Sequence, residues 1–337
     1  MSRPVICEPM PERPIEHPAV DAWSRLGPKR VEPEAIERLK RKSKSAVYRL
    51  RGVGPDGSNV IAKRCLTATA QTERAIYEEC LPCLPVPSLR SYGFLADPAN
   101  PAFSWLFLED ASGQEYSPDD ASHRISAARW LATIHTCGLE SLTHSLPDRG
   151  PSHYLKLLRG SRAAFAKHLA NPALSAEDLA TLRSVARQFD LLESHWAEVE
   201  AFCDTVPRAL VHGDLVPKNV RLTARPAGFG LFVFDWEYAG WGVPATDLCQ
   251  FTGRDGLGAD LATYEAVLAD SGRRFEFGKV RQLAQYGTIF RVLDNLAWAL
   301  SSLTVSDSQR CLVKPISHLS IYERQMTEAL RPMEWRD

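Results

Sequence analysis

Two short stretches of the chain carry acids and an amide at spacings that suit chemistry. The first is His212-Gly213-Asp214-Leu215-Val216-Pro217-Lys218-Asn219, and the second is Asp235-Trp236-Glu237. Asn219 follows Asp214 by five positions. That is the acid-to-amide spacing of a phosphoryl-transfer loop, in which the Asp takes the proton of an attacking hydroxyl and the Asn holds a magnesium ion. In such sites a second Asp, arriving after the next hairpin, is the main metal ligand, and Asp235 stands at that place. Magnesium wants hard oxygen donors and keeps several waters, so one or two carboxylates plus phosphate oxygens suffice. The plainer alternative is two Asp-initiated turns, with Asn219 capping one of them. The full octet, followed at loop distance by a strand and an Asp, favours the chemical reading.

The elements that must position these groups are legible from their patterns. The apolar runs Ala209–Val211 and Gly230–Phe234 read as strands leading into the two acidic turns. Upstream, Ala46–Leu50 and Asn59–Cys65 read as two strands joined by the turn cluster 52–58. Alternation puts Ile61, Lys63 and Cys65 on one face of the second strand. A lysine there either snorkels at an edge or reaches into a site to hold phosphate oxygens. Val60-Ile61-Ala62-Lys63 approximates the V-A-I-K strand of kinases, and with the downstream loop this favours the second role. Thr67–Leu81 reads as a helix stopped by Pro82, offering Glu73, Glu78 and Glu79 as partners for the lysine. Ala102–Leu108 is a buried-strand candidate, and the Gly/Ser/Pro/Asp-rich stretch to Asp120 after it marks a lobe boundary. Helices are expected over Ile125–Thr136, across Leu155–Glu200 and over Val280–Leu303. In the last of these, Arg291, Asp294 and Trp298 share one stripe. An ordinary solvent face is the bland reading of that stripe. His135 reads as a core or hydrogen-bonding histidine.

HGDLVPKN together with FDWE resembles the aminoglycoside phosphotransferase and choline kinase family, small-molecule relatives of the protein kinases. Protein kinases usually carry Arg between the His and Asp and Phe-Gly after the metal Asp. This chain has Gly213 and Trp236-Glu237, and Val216 where they place a Lys. The resemblance covers roughly residues 32 to 300 and implies a two-lobed α+β fold, with a small antiparallel-sheet lobe and a mainly helical lobe. It implies ATP and Mg2+ as cofactors and a small-molecule hydroxyl as acceptor. It gives Asp214 the role of base, Asn219 and Asp235 the metal, and Lys63 the α/β-phosphates. Of the three glutamates it points to Glu73 as the partner of Lys63. Ser43 and Ser45, in the basic segment Arg38–Ser45, would serve the phosphates in place of a glycine-rich loop, unless that segment is a solvated face. Backbone groups around Leu108, Glu109 and Ala111 would hold the adenine edge. His212 and Asp247 would buttress the loop, and Glu237, Arg291, Asp294 and Trp298 would meet the acceptor or, for Glu237, a second metal.

The acceptor is the least legible part. Glu237, Asp255, Asp260 and Asp294 suit a cationic acceptor, whereas Trp236, Tyr238, Trp241 and Trp298 suit a quaternary ammonium. Arg291, on the Asp294 stripe, would repel a polycation. The expectation is a hydroxylated acceptor with few positive charges, antibiotic-type ahead of choline-type. A non-catalytic kinase fold and a protein kinase are the rivals. The complete Lys63, Asp214, Asn219 and Asp235 set argues against the first, and the absence of an A-P-E segment against the second.

Composition fits this reading. The 337 residues carry 40 basic and 41 acidic side chains, a formal charge of −1 that argues against nucleic-acid binding. Hydrophobic content of 45% and charged content of 24% are ordinary for a globular chain. No apolar run approaches the ~20 residues of a membrane span, and no signal-peptide core is present, so a cytoplasmic location is expected. The eight cysteines are scattered, and Cys80 and Cys83 read as two buried thiols near a helix end. The expected layout is a Pro-rich, extended or partly ordered tail over 1–30, a nucleotide-binding lobe over 31–110, and a helical lobe with the catalytic loop and acceptor site over 111–337.

Overall fold

The computed structural model describes residues 17–27, 31–42, 44–139, 145–225, 228–252, 256–272, 277–301 and 309–335. In chain order the elements begin with α1 (Pro18–Arg25), β1 (Ile36–Lys42), β2 (Ser45–Leu50), β3 (Val60–Leu66) and α2 (Thr67–Ala75). There follow β4 (Ser91–Ala96), β5 (Phe103–Glu109), β6 (Gln114–Glu115), α3 (Ala121–Thr136), β7 (Asp148–Arg149), α4 (Pro151–His168), α5 (Ala176–Ser194) and α6 (Trp196–Cys203). The remainder is β8 (Ala209–Val211), β9 (Val220–Arg225), β10 (Gly228–Val233), β11 (Gly240–Gly242), α7 (Ala245–Leu248), α8 (Leu261–Asp270), α9 (Phe277–Leu300) and α10 (Gln309–Leu330). Among the described residues no helix is long and apolar enough to cross a membrane. The chain divides into two compact units.

The first unit comprises Met1–Ser126, Leu139–Leu146 and Val216–Ala239. Its five-stranded sheet has the order β1-β2-β3-β5-β4, antiparallel at every pairing. One face is a dry core in which Ile36, Leu50, Val60, Ala62, Trp105 and Phe107 pack on Ala19, Val20, Ala22 and Trp23 of α1. Where proline content suggested an extended tail, residues 18–25 therefore form a helix that covers the sheet. Pro18 sits at its first position and His17 caps it, with Nδ1 accepting from Ala19 N–H at 3.1 Å. Proline is tolerated there because that N–H would have no helical partner in any case. Residues 1–16 and 28–30 lie outside the described residues. The other expectation that changes is the basic segment 38–45. Most of it is β1 itself, paired with β2 as the sheet's edge.

A second, three-stranded sheet in this unit, of order β10-β9-β6, contains the hairpin that carries the metal-site candidates. Val220 pairs with Val233 at its open end. Phe234 N–H donates to the Asn219 carbonyl at 3.0 Å, so the residues flanking the hairpin are tied together. After α2 the chain continues through a wider helical turn, Ile76–Cys80, before Pro82 ends it. Cys80 is buried there, while Cys83 is exposed and not the second buried thiol expected.

The second unit comprises Ala127–Gly138, Pro147–Leu215 and Gly240–Asp337. Three short strands, in the order β7-β11-β8, sit among its helices. The expected long helical region over 155–200 is three helices, α4, α5 and α6. α9 is the spine. Gly287 lets it approach the start of α7 so closely that a Cβ would collide with the Ala245 carbonyl. Tyr154 of α4 stacks on Phe290 of α9, with centroids 4.1 Å apart.

Candidate active site

Strand alternation fixes the wall of a cavity of about 440 Å³ in the first unit. The face of the sheet opposite α1 presents Val47 and Arg49 of β2, Ile61 and Lys63 of β3, and Leu108 of β5. Lys63 is 5% exposed and its Nζ lies 2.5 Å from Oε1 of Glu73 and 2.5 Å from Oδ1 of Asp235. Glu73 is fully buried on α2. Glu78 instead pairs with Arg74 at 2.7 Å and accepts from Ser91, and Glu79 is exposed. The structure therefore brings together the lysine and the one glutamate chosen from three.

Burial pushes the Glu73 carboxyl up to about 7, with the Asp235 charge adding to it and the Lys63 ammonium opposing it. For Lys63, burial acts downward, but Glu73 and Asp235 more than offset it and hold the ammonium well above its ordinary value. A lysine enclosed in this way stays charged because it is paired, as buried charges must be.

Asp235 and Asn219 line the same cavity. Asp235 has a φ of 67°, a left-handed conformation that costs an acidic residue less than most. Trp236 beneath it is fully buried, its indole N–H donating to the Val233 carbonyl at 3.1 Å. The turn is thus nailed down by the residue that replaces the phenylalanine of protein kinases. Oδ2 of Asp235 lies 3.6 Å from Lys40 Nζ. Glu237, half-buried, adds to the field that holds Lys63 charged. Leu108, Glu109 and Ala111 line the cavity too. The Glu109 N–H is taken up by the Arg90 carbonyl at 2.9 Å. Ser45, opposite Cys65, is not part of the cavity wall, and Ser43 lies outside the described residues.

In the second unit, β8 delivers His212-Gly213-Asp214. Gly213 adopts a φ of 81°, which any residue with a Cβ would resist. That is the physical reason for glycine at this position. Asp247, 2% exposed, accepts from His212 N–H and Gly213 N–H, both at 2.8 Å. His135 Nε2 lies 3.4 Å from the same carboxylate, and His135 Nδ1 is 3.0 Å from the Tyr264 hydroxyl. Burial pushes the Asp247 carboxyl upward, but the His135 contact, the His135 and His212 charges and the His212 N–H together leave it below its ordinary value. Asp214 N–H donates to His212 Nδ1 at 3.2 Å. The structure thus brings the side chains of His212 and Asp247 against the backbone of residues 212–214, with His135 beside them.

The stripe on α9 divides. Arg291 turns to the loop and not to open solvent: its guanidinium donates to Asp214 Oδ1 at 2.8 Å and to the Gly213 carbonyl at 3.2 Å. Sequence offered no signal for that contact across 77 positions. Asp294 is pushed by burial up to about 6, against the pull of Arg149 and Arg291. Trp298 is 42% exposed and meets the His318 ring edge-on at 5.4 Å. Asp255 lies outside the described residues.

Residues 36–283 match the sequence model of the phosphotransferase enzyme family, and the chain belongs to that family. It is a phosphotransferase, and the matched span contains Lys63, Glu73, the octet, Asp235 and Asp247, but stops short of Arg291. No curated protein sequence matches the chain. Among solved structures it is similar to ethanolamine kinase from Plasmodium vivax, at 16% identity over 90% of this chain and 84% of that one, with a TM-score of 0.56. It is also similar to aminoglycoside 2'-phosphotransferase-IIIa in its GDP complex, at 14% identity over 90% and 97% of the two chains and a TM-score of 0.62. A third is a spectinomycin phosphotransferase bound to ADP and spectinomycin, at 9% identity over 89% and 94% and a TM-score of 0.56. These likenesses establish the protein-kinase-like α+β fold expected from the sequence.

Proposed function

We propose that the protein transfers the γ-phosphoryl group of ATP to a hydroxyl of a small molecule. One observation carries this reading: a buried lysine held between Glu73 and Asp235 on the wall of a cavity that also contains Asn219. Lys63 would hold the α/β-phosphates, with Glu73 fixing its position. The adenine edge would lie against the backbone of residues 108–111. Asp214, oriented by Arg291 and by its N–H bond to His212, takes the proton of the acceptor hydroxyl. The hydroxyl oxygen then forms the new bond to the γ-phosphorus as the bond to the β-phosphate oxygen breaks and ADP leaves.

Magnesium suits the donors present. Asp235 already gathers two ammonium groups around its carboxylate, and Asn219 adds a hard amide oxygen in the same cavity. A cation held by Asp235 and Asn219 would complete its coordination with phosphate oxygens and water, as magnesium does. When bound, it would neutralise charge on the phosphates.

For the acceptor, the pairing of Arg291 with Asp214 argues against a polycation at the reacting hydroxyl. Asp294 supports a single positive charge nearby. A choline-type cage needs several aromatic faces, and Trp298 meets a histidine ring instead. The reading is a hydroxylated acceptor with few positive charges, antibiotic-type ahead of choline-type, handled in the cytoplasm. An ATP-consumption screen against aminoglycosides, spectinomycin-like antibiotics, choline and ethanolamine tests it. Turnover with choline or ethanolamine alone would reverse the order, and turnover with none of these acceptors would count against the acceptor class.

A further inference from the structure

β1 contains one residue too many for its partner. Arg38 pairs with Tyr48 and Lys40 with Val47, which leaves Leu39 unmatched. Along a regular strand side chains alternate between faces, and one extra residue reverses that alternation for everything after it. Tyr48 belongs to the face that packs on Trp105, with ring centroids 6.2 Å apart, whereas Val47 lines the cavity. Regular pairing would have sent Leu39 and Arg41 to the cavity and Lys40 away from it. With the bulge, Leu39, Lys40 and Lys42 all line the cavity.

Lys40 lands beside the chemistry. Its Nζ is 3.6 Å from Oδ2 of Asp235, whose Oδ1 is held by Lys63 at 2.5 Å. The Arg49 guanidinium, in the same wall, is occupied by Asp110 at 2.6 Å and Glu37 at 2.9 Å. The Lys40 side chain is 34% exposed and keeps a long flexible stem, so it can swing where Lys63, packed tightly, cannot. Lys40 and Lys42 thus add positive charge to a wall in which the other strand cations are already paired.

We propose that Lys40 is a phosphate-binding residue, whose ammonium leaves Asp235 for the phosphate oxygens of a bound nucleoside triphosphate. The proposal rests on the nucleotide-binding reading above. It gives a physical counterpart to the glycine-rich motif that the sequence does not carry: an ammonium on a long, part-exposed stem, aimed by a bulge. It also frees the Asp235 carboxylate at the moment the nucleotide arrives with its cation.

The test is equilibrium binding of ATP, ADP and adenosine to the full-length chain, with magnesium and with chelator, in the parent, Lys40→Met, Lys40→Arg and Lys44→Met. A charge-assisted contact predicts ATP affinity about 10- to 100-fold weaker in Lys40→Met, in both magnesium and chelator. Adenosine should bind the variant as it binds the parent. Lys40→Arg should recover most of the loss. Lys44→Met, which removes the same charge from a residue outside the cavity wall, should bind ATP like the parent. Unchanged ATP affinity in Lys40→Met overturns the proposal. So does an equal loss for adenosine, which would mean a damaged strand, or a loss seen only with magnesium, which would mean an effect through Asp235. A parent that binds none of the three ligands refutes the nucleotide reading itself.

Discussion

Asp247→Ala removes the carboxylate that accepts from the backbone at the start of the His212–Asn219 segment. Two backbone N–H groups, of His212 and Gly213, lose acceptors at 2.8 Å. His212 is fully buried, so its N–H has no water to turn to and is left unsatisfied at a cost of about 1–3 kcal/mol. Gly213 is only partly buried, and its N–H regains part of its loss from solvent. His135 keeps its contact with the Tyr264 hydroxyl at 3.0 Å, so its share is small. The sum is roughly 2–4 kcal/mol of lost stability. Asp247→Asn should cost less, since one amide oxygen still accepts while the NH2 faces the second donor. Urea unfolding at pH 7.5, read by circular dichroism, measures this as a lower midpoint at unchanged slope. Because the same bonds set where Asp214 stands, phosphoryl transfer should fall by about 10²-fold in Asp247→Ala at temperatures where it is folded. A variant that loses less than about 1 kcal/mol and keeps parental turnover would refute the reasoning. The carboxyl is held below its ordinary pKa, so its contribution is present above that value and fades as pH falls through the folded-state value.

Other groups give further expectations. Asp235→Ala should weaken ATP binding in magnesium far more than in chelator, and calorimetry under the two conditions measures the difference; equal affinity in variant and parent would place the metal ligand elsewhere. Asp294 is raised from 3.8 to about 6, so it favours the fold while protonated and that contribution fades as pH rises through this window. Asp294→Asn should therefore melt higher than the parent at pH 8, by an amount worth roughly 1–3 kcal/mol, with the advantage vanishing near pH 4. A parent and variant that melt with the same pH dependence would contradict it.

The parts of the site that announce themselves in sequence are those whose chemistry is local. The octet, the Asp235 turn and the V-I-A-K strand each contain their own spacing. The choice of Glu73 over Glu78 and Glu79 needed the resemblance, and burial supplies the reason: only Glu73 turns fully inward from its helix. β1 was hidden because its bulge breaks the period-two pattern that identifies strands, leaving a run of basic residues that reads as loop or solvated face. For the same reason no pattern in the sequence sets Lys40 apart from the other basic residues of this segment. α1 was hidden by the prolines around it, although His17-Pro18 ahead of Ala19, Val20, Ala22 and Trp23 is a helix start with an apolar face. The α9 pattern is legible around Arg291, but its partner Asp214 is 77 positions away and no local pattern encodes that contact.

The central claim is that Asp214 takes the proton of an acceptor hydroxyl while Lys63 and Asp235 serve the nucleotide. The most direct measurement follows γ-labelled ATP into product with an acceptor found by the screen, in the parent and in Asp214→Ala, with ATP affinity determined for both. The account predicts that transfer falls by about 10²- to 10⁴-fold in the variant while ATP affinity stays close to that of the parent. Label reaching the acceptor at the parental rate in Asp214→Ala would contradict it.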